Sequence, residues 1–328
     1  MSIRGLPNLG NTCYLNSVIQ ILMHTPRFCE LVKEYYRETE NTHPLIRAFV
    51  DLQHNYFSEN NIEPSLRTFI CEFIKYKEIF GSGHQDQHEY LMLLHNIIHD
   101  NINAQGKFRL TGKVRSAIDK LEHISLEEYR TQAMSTTDDP RGTYNSPVYK
   151  LFTGQCHCRT QCPKCNYVSS KFETFKSWEV PIGNHDKPSV ELRQCLDEFT
   201  AIEKLAEKEE YECDRCKEKQ RCLRKCDLWR LPEILVICVK RNTGYNKDTR
   251  AVEAPLVLDV APYLSVHRDR TIYSLYGIAN HMGSPIFGHC TCHILRGDQW
   301  YYVNDEHITP ISRVEDTKTN YIFFYARN

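Results

Sequence analysis

Residues Asn8 to Leu22 read NLGNTCYLNSVIQIL and place a cysteine where a turn gives way to a helix. Apolar residues then recur at the spacing of one helical face, namely Leu15, Val18, Ile19 and Leu22. If the helix begins at Thr12 or Cys13, the sulfur of Cys13 lies near unpaired backbone N–H groups and the positive end of the helix dipole, which favour the thiolate. The position predicts a nucleophile, although a buried packing cysteine remains the alternative at this point.

The residues before this helix form a short polar turn. The turn contains Gly5, Pro7, Gly10 and Asn11, and its backbone and amide groups could point at an oxyanion. Asn8 is the obvious side-chain donor. The turn therefore predicts a site that stabilises negative charge beside the cysteine.

A nucleophilic cysteine needs a base, and the C-terminal third of the sequence offers one. His289 enters a predicted strand, and Asn304 ends the next strand. Two antiparallel strands joined by the turn RGDQ would return Asn304 to His289, where its amide oxygen could accept the Nδ1–H. The neighbouring histidines are expected to have packing or surface roles, namely His281, His293 and His307.

Composition excludes several classes of function. The 328 residues are 41% apolar, enough for one large domain or two ordinary ones, and 41 basic against 42 acidic residues leave a net charge of -1. No global field attracts nucleic acid or an anionic membrane. The longest apolar run, Ile234 to Val239, is far shorter than a membrane span. We expect a soluble protein that is not secreted and has no nucleic-acid or membrane partner.

The chain changes character along its length. From about Cys13 to His99 the pattern is helical, and HEYLMLLHNIIHD forms a second amphipathic segment. Residues 105–147 are polar and predict a long connection. After Val148 short aromatic and β-branched runs predict strands, interrupted by one helix near Ser189 to Phe199. This order predicts an α+β fold in one continuous catalytic unit.

The fifteen cysteines include two C-x-x-C pairs separated by 47 residues, and these are Cys162 with Cys165 and Cys213 with Cys216. Four such thiolates can close a tetrahedral zinc site. A redox function would need only one pair, so two pairs favour a metal. The metal would then clip the tip of an extended hairpin.

The remaining cysteines are expected to be free thiols, because in a reducing compartment cysteines persist as ligands, nucleophiles or buried hydrophobes. Those flanking the metal pairs are interpreted as bystanders, namely Cys156, Cys158, Cys222 and Cys226. The others lie in apolar contexts and are expected to pack. The basic run RCKEKQRCLRK contains glutamate and is expected to be a solvated face.

With these elements in place, the sequence resembles the ubiquitin-specific protease family of deubiquitinating cysteine proteases. GLPNLGNTCYLNSVIQ is similar to the cysteine box of the family, and GHQDQHEYLMLLHNIIH to its Gln/Asp/Glu box. SPVYKLFTGQ, the two C-x-x-C pairs and CLDEFTAIEKLAEKEEYECDRC resemble its fingers region. YSLYGIANHMGSPIFGHCTCHILRGDQWYYVNDEHIT resembles its histidine box. The motifs run in the family's order along almost the whole chain.

The resemblance implies a single catalytic domain over residues 1–328 with a papain-like core. Its thumb would span roughly 1–147, its fingers roughly 148–232 and its palm mainly 233–328, with strands continuous between fingers and palm. The fingers would hold one structural Zn²⁺ and cradle ubiquitin. The implied partners are ubiquitin and ubiquitinated proteins, and the expected location is the cytoplasm or nucleus.

The resemblance also implies a role for each matching residue. Cys13 would be the nucleophile, His289 the general base and Asn304 the residue that orients it. Asn8 would stabilise the oxyanion, and Asp305 matches an acidic position that supports the histidine or the oxyanion.

Substrate-binding positions follow from the same motifs. Asp86 and Glu89 match positions that meet the basic, glycine-ended tail of ubiquitin, because carboxylates pair with arginines. Gly288 and Cys290 match the wall of the channel for the terminal glycines of the substrate.

Three positions depart from the usual pattern of the family. Cys290 stands where tyrosine is usual, so one wall of the channel is expected to be smaller. Asn242 stands where an aromatic residue is common. Asn304 replaces the commoner aspartate, and an amide adds no negative charge to stabilise the imidazolium. We expect a looser ion pair in an active enzyme.

Two other classes of function remain open on the sequence. A catalytically silent ubiquitin-binding module would keep the fold and lose turnover, and the departures at Cys290 and Asn242 are compatible with it. A zinc-ribbon nucleic-acid binder would show steeply salt-dependent affinity for DNA or RNA.

Overall fold

The computed structural model describes residues 3–39, 43–58, 60–76, 86–104, 146–183, 187–206, 209–243, 246–284, 287–314 and 317–328. The polar connection predicted from Gln105 lies outside the described residues as far as position 145. Within the described chain, no helix has both the length and the hydrophobicity needed to cross a membrane. The boundaries proposed for thumb, fingers and palm stay a prediction.

Helices dominate the first part of the chain, and one further helix lies among the strands that follow. They are α1 (Cys13–Met23), α2 (Pro26–Glu38), α3 (Pro44–Tyr56), α4 (Glu63–Ile74), α5 (Gln87–Ala104), α6 (Pro147–Phe152) and α7 (Leu192–Thr200). The helical pattern predicted between Cys13 and His99 is confirmed by α1 to α5. Nearly every side chain of α1 is buried, as expected of a helix surrounded by protein on all sides.

Strands dominate the rest of the described chain, as the aromatic and β-branched runs predict. They are β1 (Gly154–Gln161), β2 (Val168–Phe175), β3 (Trp178–Pro181), β4 (Ser189–Glu191), β5 (Glu203–Lys204), β6 (Tyr211–Glu212), β7 (Lys219–Gln220), β8 (Leu223–Arg230), β9 (Ile234–Lys240), β10 (Asn242–Thr243), β11 (Asn246–Lys247), β12 (Ala251–Glu253), β13 (Val257–Asp259), β14 (Ile272–Gly283), β15 (Gly288–Arg296), β16 (Gln299–Asn304), β17 (His307–Ile311) and β18 (Asn320–Arg327).

The main sheet has the strand order β17-β16-β15-β14-β18-β9-β3, and β13 pairs with β14. All of these pairs are antiparallel except β3 with β9. The apolar run ILVICV forms β9, and its alternate side chains enter two different cores. Ile234, Val236 and Cys238 pack with the helical layer, and the side chains between them pack with α7 on the opposite face. The strand is hydrophobic throughout because both of its faces are covered.

A second sheet has the order β2-β1-β8-β5. The antiparallel pairing of β1 with β8 places Gln161 opposite Leu223 and so brings the two C-x-x-C segments to the same end of the sheet. The same register places Cys158 opposite Cys226, and the two form a disulfide with a Cα–Cα distance of 4.1 Å. The expectation that both are free bystanders is wrong, because direct cross-strand partners have Cβ atoms within bonding reach.

The helix predicted near Ser189 starts later than the sequence suggests. Ser189 to Glu191 form β4, which pairs with β12, and α7 begins at Leu192. Glu191 caps the helix: its side chain accepts from the backbone N–H of Gln194, and the Gln194 side chain accepts from that of Glu191. This reciprocal cap fixes the boundary.

Helix α1 lies across the main sheet where β14 has a glycine. A Cβ at Gly277 would stand 2.7 Å from the Cγ2 methyl of Ile21. The absence of a side chain at Gly277 therefore lets α1 approach the sheet closely enough to bury Ile21 completely.

We expect Gly277→Ala to destabilise the fold by about 1–3 kcal/mol through overpacking. Ile21→Ala removes the opposing methyl, so the double variant should lose about 1 kcal/mol less than the sum of the two single variants. Denaturant unfolding of the four proteins measures this coupling. As a control, Gly154→Ala would meet the ring of Phe175 in the other sheet and should combine additively with Ile21→Ala. Additivity of Gly277→Ala with Ile21→Ala would contradict the proposed contact.

Candidate active site

Cys13 is the first residue of α1, and its side chain is buried. Gly10 and Asn11 before it have φ angles of 99° and 52°, so the chain turns sharply into the helix. The first turn of α1 contains no acidic residue. The sulfur therefore lies at the positive end of a helix with no neighbouring carboxylate in that turn, as the sequence predicts.

The side chain of Asn8 organises this turn. Its Oδ1 accepts hydrogen bonds from the backbone N–H of Gly10 at 3.1 Å and of Thr12 at 3.2 Å. Its Nδ2 donates to Oδ2 of Asp305 at 2.9 Å. Asn8 is thus held from both ends beside the start of α1, with a second Nδ2 hydrogen available for another acceptor.

Asp305 links the beginning of the chain to its end. Besides Asn8, its carboxylate accepts from Nδ2 of Asn16 at 2.8 Å, and its carbonyl accepts from the backbone N–H of Leu6 at 3.0 Å. A Cβ at Gly5 would stand 2.2 Å from the carbonyl oxygen of Glu306, so the two segments touch at backbone distance. In the described part of the chain, Asp305 makes hydrogen bonds to these groups and none to His289.

His289 and Asn304 meet as the strand pairing predicts. Strands β15 and β16 are antiparallel, and Nε2 of His289 donates to Oδ1 of Asn304 at 2.7 Å. The prediction from the sequence that Nδ1 makes this bond is wrong. Because Nε2 is engaged with Asn304, Nδ1 is the nitrogen that remains to exchange a proton with Cys13.

Cys13 and His289 each favour the charged form of the other. Burial lowers the pKa of His289, but the hydrogen bond to Asn304, the Cys13 thiolate and a hydrogen bond to Cys13 raise it above the usual value overall. Asp305 adds a weaker favourable charge. A protonated His289 beside an ionised Cys13 is the arrangement that a thiol nucleophile requires.

Cys290 is the residue predicted from the sequence to form a channel wall, and its side chain is buried. The pKa of Cys13 is lowered to about 5, first by side-chain hydrogen bonding from Cys290 and then, among the favourable causes, by the backbone N–H of Cys290 and the charge of His289. Burial opposes these effects.

The predicted tail-binding residues lie at the start of α5. Oδ1 of Asp86 accepts from the backbone N–H of His88 at 2.7 Å and of Glu89 at 3.2 Å, and its Oδ2 accepts from the hydroxyl of Tyr321 at 3.0 Å. Asp86 is therefore a helix cap that also contacts β18. Glu89 is exposed.

Gly288 begins β15, directly before the candidate base. A Cβ there would stand 2.4 Å from Nε2 of His281 and 2.2 Å from the carbonyl oxygen of Met282. The position accepts only glycine without a shift of backbone, because the carbonyl cannot move independently. Gly288 thereby fixes the entry of His289 into the site.

The other nearby histidines lie outside the Cys13–His289–Asn304 group. His281 is buried and its ring and carbonyl both contact Nζ of Lys247, at 2.9 and 2.7 Å. His293 is buried beside Asn280 at 3.0 Å, and His307 is exposed on β17. These are the packing and surface positions that the sequence predicts.

The four cysteines of the C-x-x-C pairs form a candidate metal centre. Their sulfur atoms all lie within 4.8 Å of one another. The distances are 3.8 Å from Cys162 to Cys216 and 3.5 Å from Cys165 to Cys213. A tetrahedron with metal–sulfur bonds of ~2.3 Å has edges of about 3.8 Å, so these residues fit a four-thiolate site.

Both segments of this centre use the same backbone turn. Asn166 and Lys217, the residues that follow the second cysteine of each pair, have φ angles of 57°. Their N–H groups donate to the carbonyl oxygens of Cys162 and Cys213, at 3.0 and 2.8 Å. The two turns therefore present their thiols with matching geometry.

One residue beside Cys13, Asn16, was not predicted from the sequence, and for Cys290 only the direction of its side chain was missed. Asn16 lies one helical turn after Cys13 and holds Asp305, and the i, i+3 spacing could have indicated that it shares the face of Cys13. Cys290 shares a strand face with Cys292 and Ile294, which pack toward α1. That alternation could have indicated that Cys290 points at the helix.

Comparison with known proteins identifies the family to which the chain is similar. The family model described as ubiquitin carboxyl-terminal hydrolase matches residues 4–325. Ubiquitin carboxyl-terminal hydrolase 2 of Homo sapiens is 31% identical over 340 residues, which cover 98% of this chain and 55% of that protein. Ubiquitin carboxyl-terminal hydrolase 5 of Saccharomyces cerevisiae is 28% identical over 368 residues, covering 99% of this chain and 45% of that protein. The chain spans about half the length of these relatives.

Solved structures with the same fold include the SAGA DUB module containing Ubp8, bound to monoubiquitin. The matching chain is 24% identical with a TM-score of 0.77, and the match covers 99% of this chain and 69% of that one. The same module bound to ubiquitin aldehyde gives 23% identity and a TM-score of 0.76, with the same coverage. At this identity the likeness establishes the fold, which confirms the α+β architecture predicted from the sequence.

Proposed function

The chain belongs to the ubiquitin carboxyl-terminal hydrolase family, and we propose that it is a thiol-dependent deubiquitinase. It would hydrolyse the isopeptide or peptide bond after the C-terminal glycine of ubiquitin and release ubiquitin from conjugates or chains. The observation that supports this most is the arrangement of Cys13, His289 and Asn304. A buried thiol at a helix start, a histidine whose charge favours its thiolate and an amide that orients the histidine are the three groups that a cysteine protease uses.

The first half of the proposed reaction forms a thioester. The Cys13 thiolate attacks the carbonyl carbon of the last glycine of ubiquitin, and His289 then gives its Nδ1 proton to the departing lysine amine. Asn304 accepts the Nε2–H throughout and so keeps the imidazole in one orientation. Because it carries no charge, Asn304 contributes orientation and a hydrogen bond rather than a counter-ion.

The second half releases ubiquitin. His289, now neutral, takes a proton from a water molecule that attacks the thioester carbonyl, and the Cys13 thiolate leaves. Both steps pass through a tetrahedral oxyanion, for which the Nδ2 of Asn8 and the backbone N–H groups at the start of α1 are the donors in this proposal. Asp305 acts indirectly, because it fixes Asn8 and Asn16 in place.

The C-terminal tail of ubiquitin would be recognised by a carboxylate that pairs with an arginine and by a narrow passage for the terminal glycines. Glu89 is exposed at the start of α5 and can meet an arginine side chain, whereas Asp86 is already engaged by Tyr321 and the helix end. Gly288 and Cys290 would line the passage for the two terminal glycines beside the nucleophile. Binding of a whole folded modifier would supply the specificity that a short peptide lacks.

Hydrolysis of ubiquitin carrying a C-terminal fluorogenic amide tests the proposed function. We expect turnover by the natural chain and its loss in Cys13→Ala, which removes the nucleophile but leaves the surface unchanged. A peptide with the same final residues should be a poor substrate. The silent ubiquitin-binding module is the alternative that the departures at Cys290 and Asn242 leave open, and tight ubiquitin binding without turnover would support it against the enzyme.

The roles of Asn304 and Asp305 can be separated by pH profiles of kcat/KM. The hydrogen bond to Asn304 helps to raise the pKa of His289. The imidazolium form of His289 is lost as the pH rises through this raised pKa. Asn304→Ala should therefore move the alkaline limb to lower pH. Asp305→Ala should instead lower kcat about 100-fold, comparable to loss of an oxyanion donor, with the alkaline limb little changed.

Asn8→Ala is the matched control, because it removes the proposed oxyanion donor directly and should reproduce the effect of Asp305→Ala. A larger shift of the alkaline limb in Asp305→Ala than in Asn304→Ala would show that the acid, not the amide, is the principal partner of His289.

We also propose that the four-cysteine centre holds one structural Zn²⁺. The thiolates of Cys162, Cys165, Cys213 and Cys216 would bind it, and the ion would fasten the ends of β1, β2 and the β6–β7 hairpin together. Its contribution is to folding, since the centre lies among residues separate from the active-site group.

Metal analysis of freshly purified protein should give one zinc per chain. Cys213→Ser should lose the zinc and lower the melting temperature, while Cys13 stays reactive toward iodoacetamide. Cys222→Ser is the control, because Cys222 is buried beside the centre but is outside the four-sulfur group. Zinc-free protein, or equal zinc content in the natural chain and Cys213→Ser, would contradict the assignment.

For its cellular location we propose the cytoplasm or nucleus. Thirteen of the fifteen cysteines, all within described residues, form no disulfide, and the proposed nucleophile requires a reduced sulfur. The proposed partners are ubiquitin and ubiquitinated proteins.

A further inference from the structure

Lys247 links a small hairpin to the main sheet. Strands β10 and β11 form this hairpin, in which Asn242 lies opposite Lys247. Nζ of Lys247 lies 2.9 Å from Nδ1 of His281 and 2.7 Å from the carbonyl oxygen of the same residue. His281 belongs to β14 and is 8% exposed, so both contacts lie largely away from bulk water. One side chain of the hairpin thus binds both the ring and the backbone of a single sheet residue.

The contact with the carbonyl continues the pairing of β14 beyond the start of its neighbour. Strand β18 begins at Asn320, and the backbone N–H of His281 donates to the carbonyl oxygen of Thr319 at 2.8 Å. The N–H and the C=O of a strand residue point to the same side, so the carbonyl of His281 also faces away from β15. The ammonium of Lys247 therefore supplies the hydrogen bond that a backbone N–H would supply in a longer strand.

The contact with the ring fixes the tautomer of His281. An ammonium group has three donors and no acceptor, so Nδ1 accepts and Nε2 carries the ring proton. The neighbouring positive charge also opposes protonation of the ring. The Nε2 side of the ring lies against Gly288, where a Cβ would stand 2.4 Å from Nε2. Lys247 thus fixes the orientation of a ring that packs on the residue before His289.

The surroundings of Lys247 make its charge costly. Burial and then the charge of Arg241 lower the pKa of Lys247 to about 8. Arg241 is itself buried and donates to the carbonyl oxygens of Asp248 at 2.9 Å and Asn320 at 2.7 Å, so it holds the end of the hairpin to β18. The two hydrogen bonds to His281 offset the cost of a second cation here, because a charged donor makes stronger hydrogen bonds than a neutral one.

We propose that Lys247 is a positioning residue for the candidate base His289. Its ammonium holds the ring and the carbonyl of His281, and the ring in turn limits where Gly288 can lie. Because β15 begins at Gly288, the position of this glycine determines where His289 stands relative to Cys13. The effect on turnover rests on the proposed function, whereas the effect on the Cys13–His289 pair does not.

Lys247→Met tests the proposal, because methionine keeps an unbranched side chain but has no donor. With ubiquitin carrying a C-terminal fluorogenic amide, kcat should fall about 10- to 100-fold, as expected when a reacting group is slightly misplaced. KM should change little, because the surface that would bind ubiquitin stays intact. Lys247→Arg keeps a cationic donor and should retain more of kcat. A purely structural role of Lys247 would give neither this split between kcat and KM nor this rescue.

A second measurement needs no ubiquitin. The charge of His289 helps to lower the pKa of Cys13, so a displaced His289 should leave that pKa higher. The pH midpoint for alkylation of Cys13 by iodoacetamide, followed by mass spectrometry of its peptide, should therefore be higher in Lys247→Met than in the natural chain. If the proposed function failed, both proteins would lack turnover and the difference in midpoint would remain.

Lys240→Met is the matched control. Lys240 is an exposed lysine that precedes the hairpin, and its ion pair with Glu179 spans 3.6 Å. Exposed ion pairs of this kind contribute little, so kcat and the midpoint should stay unchanged. If Lys247→Met does not fold, Lys247→Gln is the second variant without the charge. An unchanged midpoint in a folded variant, an equal effect of Lys240→Met, or a loss of activity confined to KM would overturn the proposal.

Discussion

Helix α1 packs against strand β15, and the active-site arrangement depends on this contact. It brings Cys13 to His289 and Cys290 from the far end of the sequence. The contact is possible because Gly277 leaves room for Ile21, and buried apolar side chains on both elements exclude water from it. Core packing thus places the nucleophile beside the strand that carries the candidate base.

Hydrogen bonds to Asp305 add to the packing that positions α1. Its carboxylate binds the side-chain amides of Asn8 and Asn16, on either side of Cys13 in the sequence. A helix packed on a sheet can still rotate or slide slightly, and two charge-assisted hydrogen bonds from one carboxylate restrict that motion. In this account Asp305 positions the oxyanion donor and Asn304 positions the base.

Much of this arrangement could be predicted from the sequence. The apolar spacing of α1 fixed its buried faces, and a short turn between two strands was enough to pair His289 with Asn304. Patterns of this kind are local, or they join neighbouring strands. The four cysteines of the candidate metal centre could be predicted because two C-x-x-C pairs of identical spacing indicate one shared metal ion.

Other features depend on three-dimensional contacts that no local pattern encodes. Which nitrogen of His289 meets Asn304 depends on the rotation of the ring, and the Cys158–Cys226 disulfide depends on the register of β1 with β8. The start of α7 was misplaced because the pairing of β4 with β12 competes with helix formation before Leu192.

The central claim is that Cys13 is a nucleophile for the C-terminus of ubiquitin. Ubiquitin carrying a C-terminal electrophile tests it most directly, with the modified residue identified by peptide mass spectrometry. We predict one covalent adduct per chain on Cys13, and no adduct on the exposed thiol of Cys71. An adduct on another cysteine, or no adduct in protein whose Cys13 still reacts with iodoacetamide, would contradict the account.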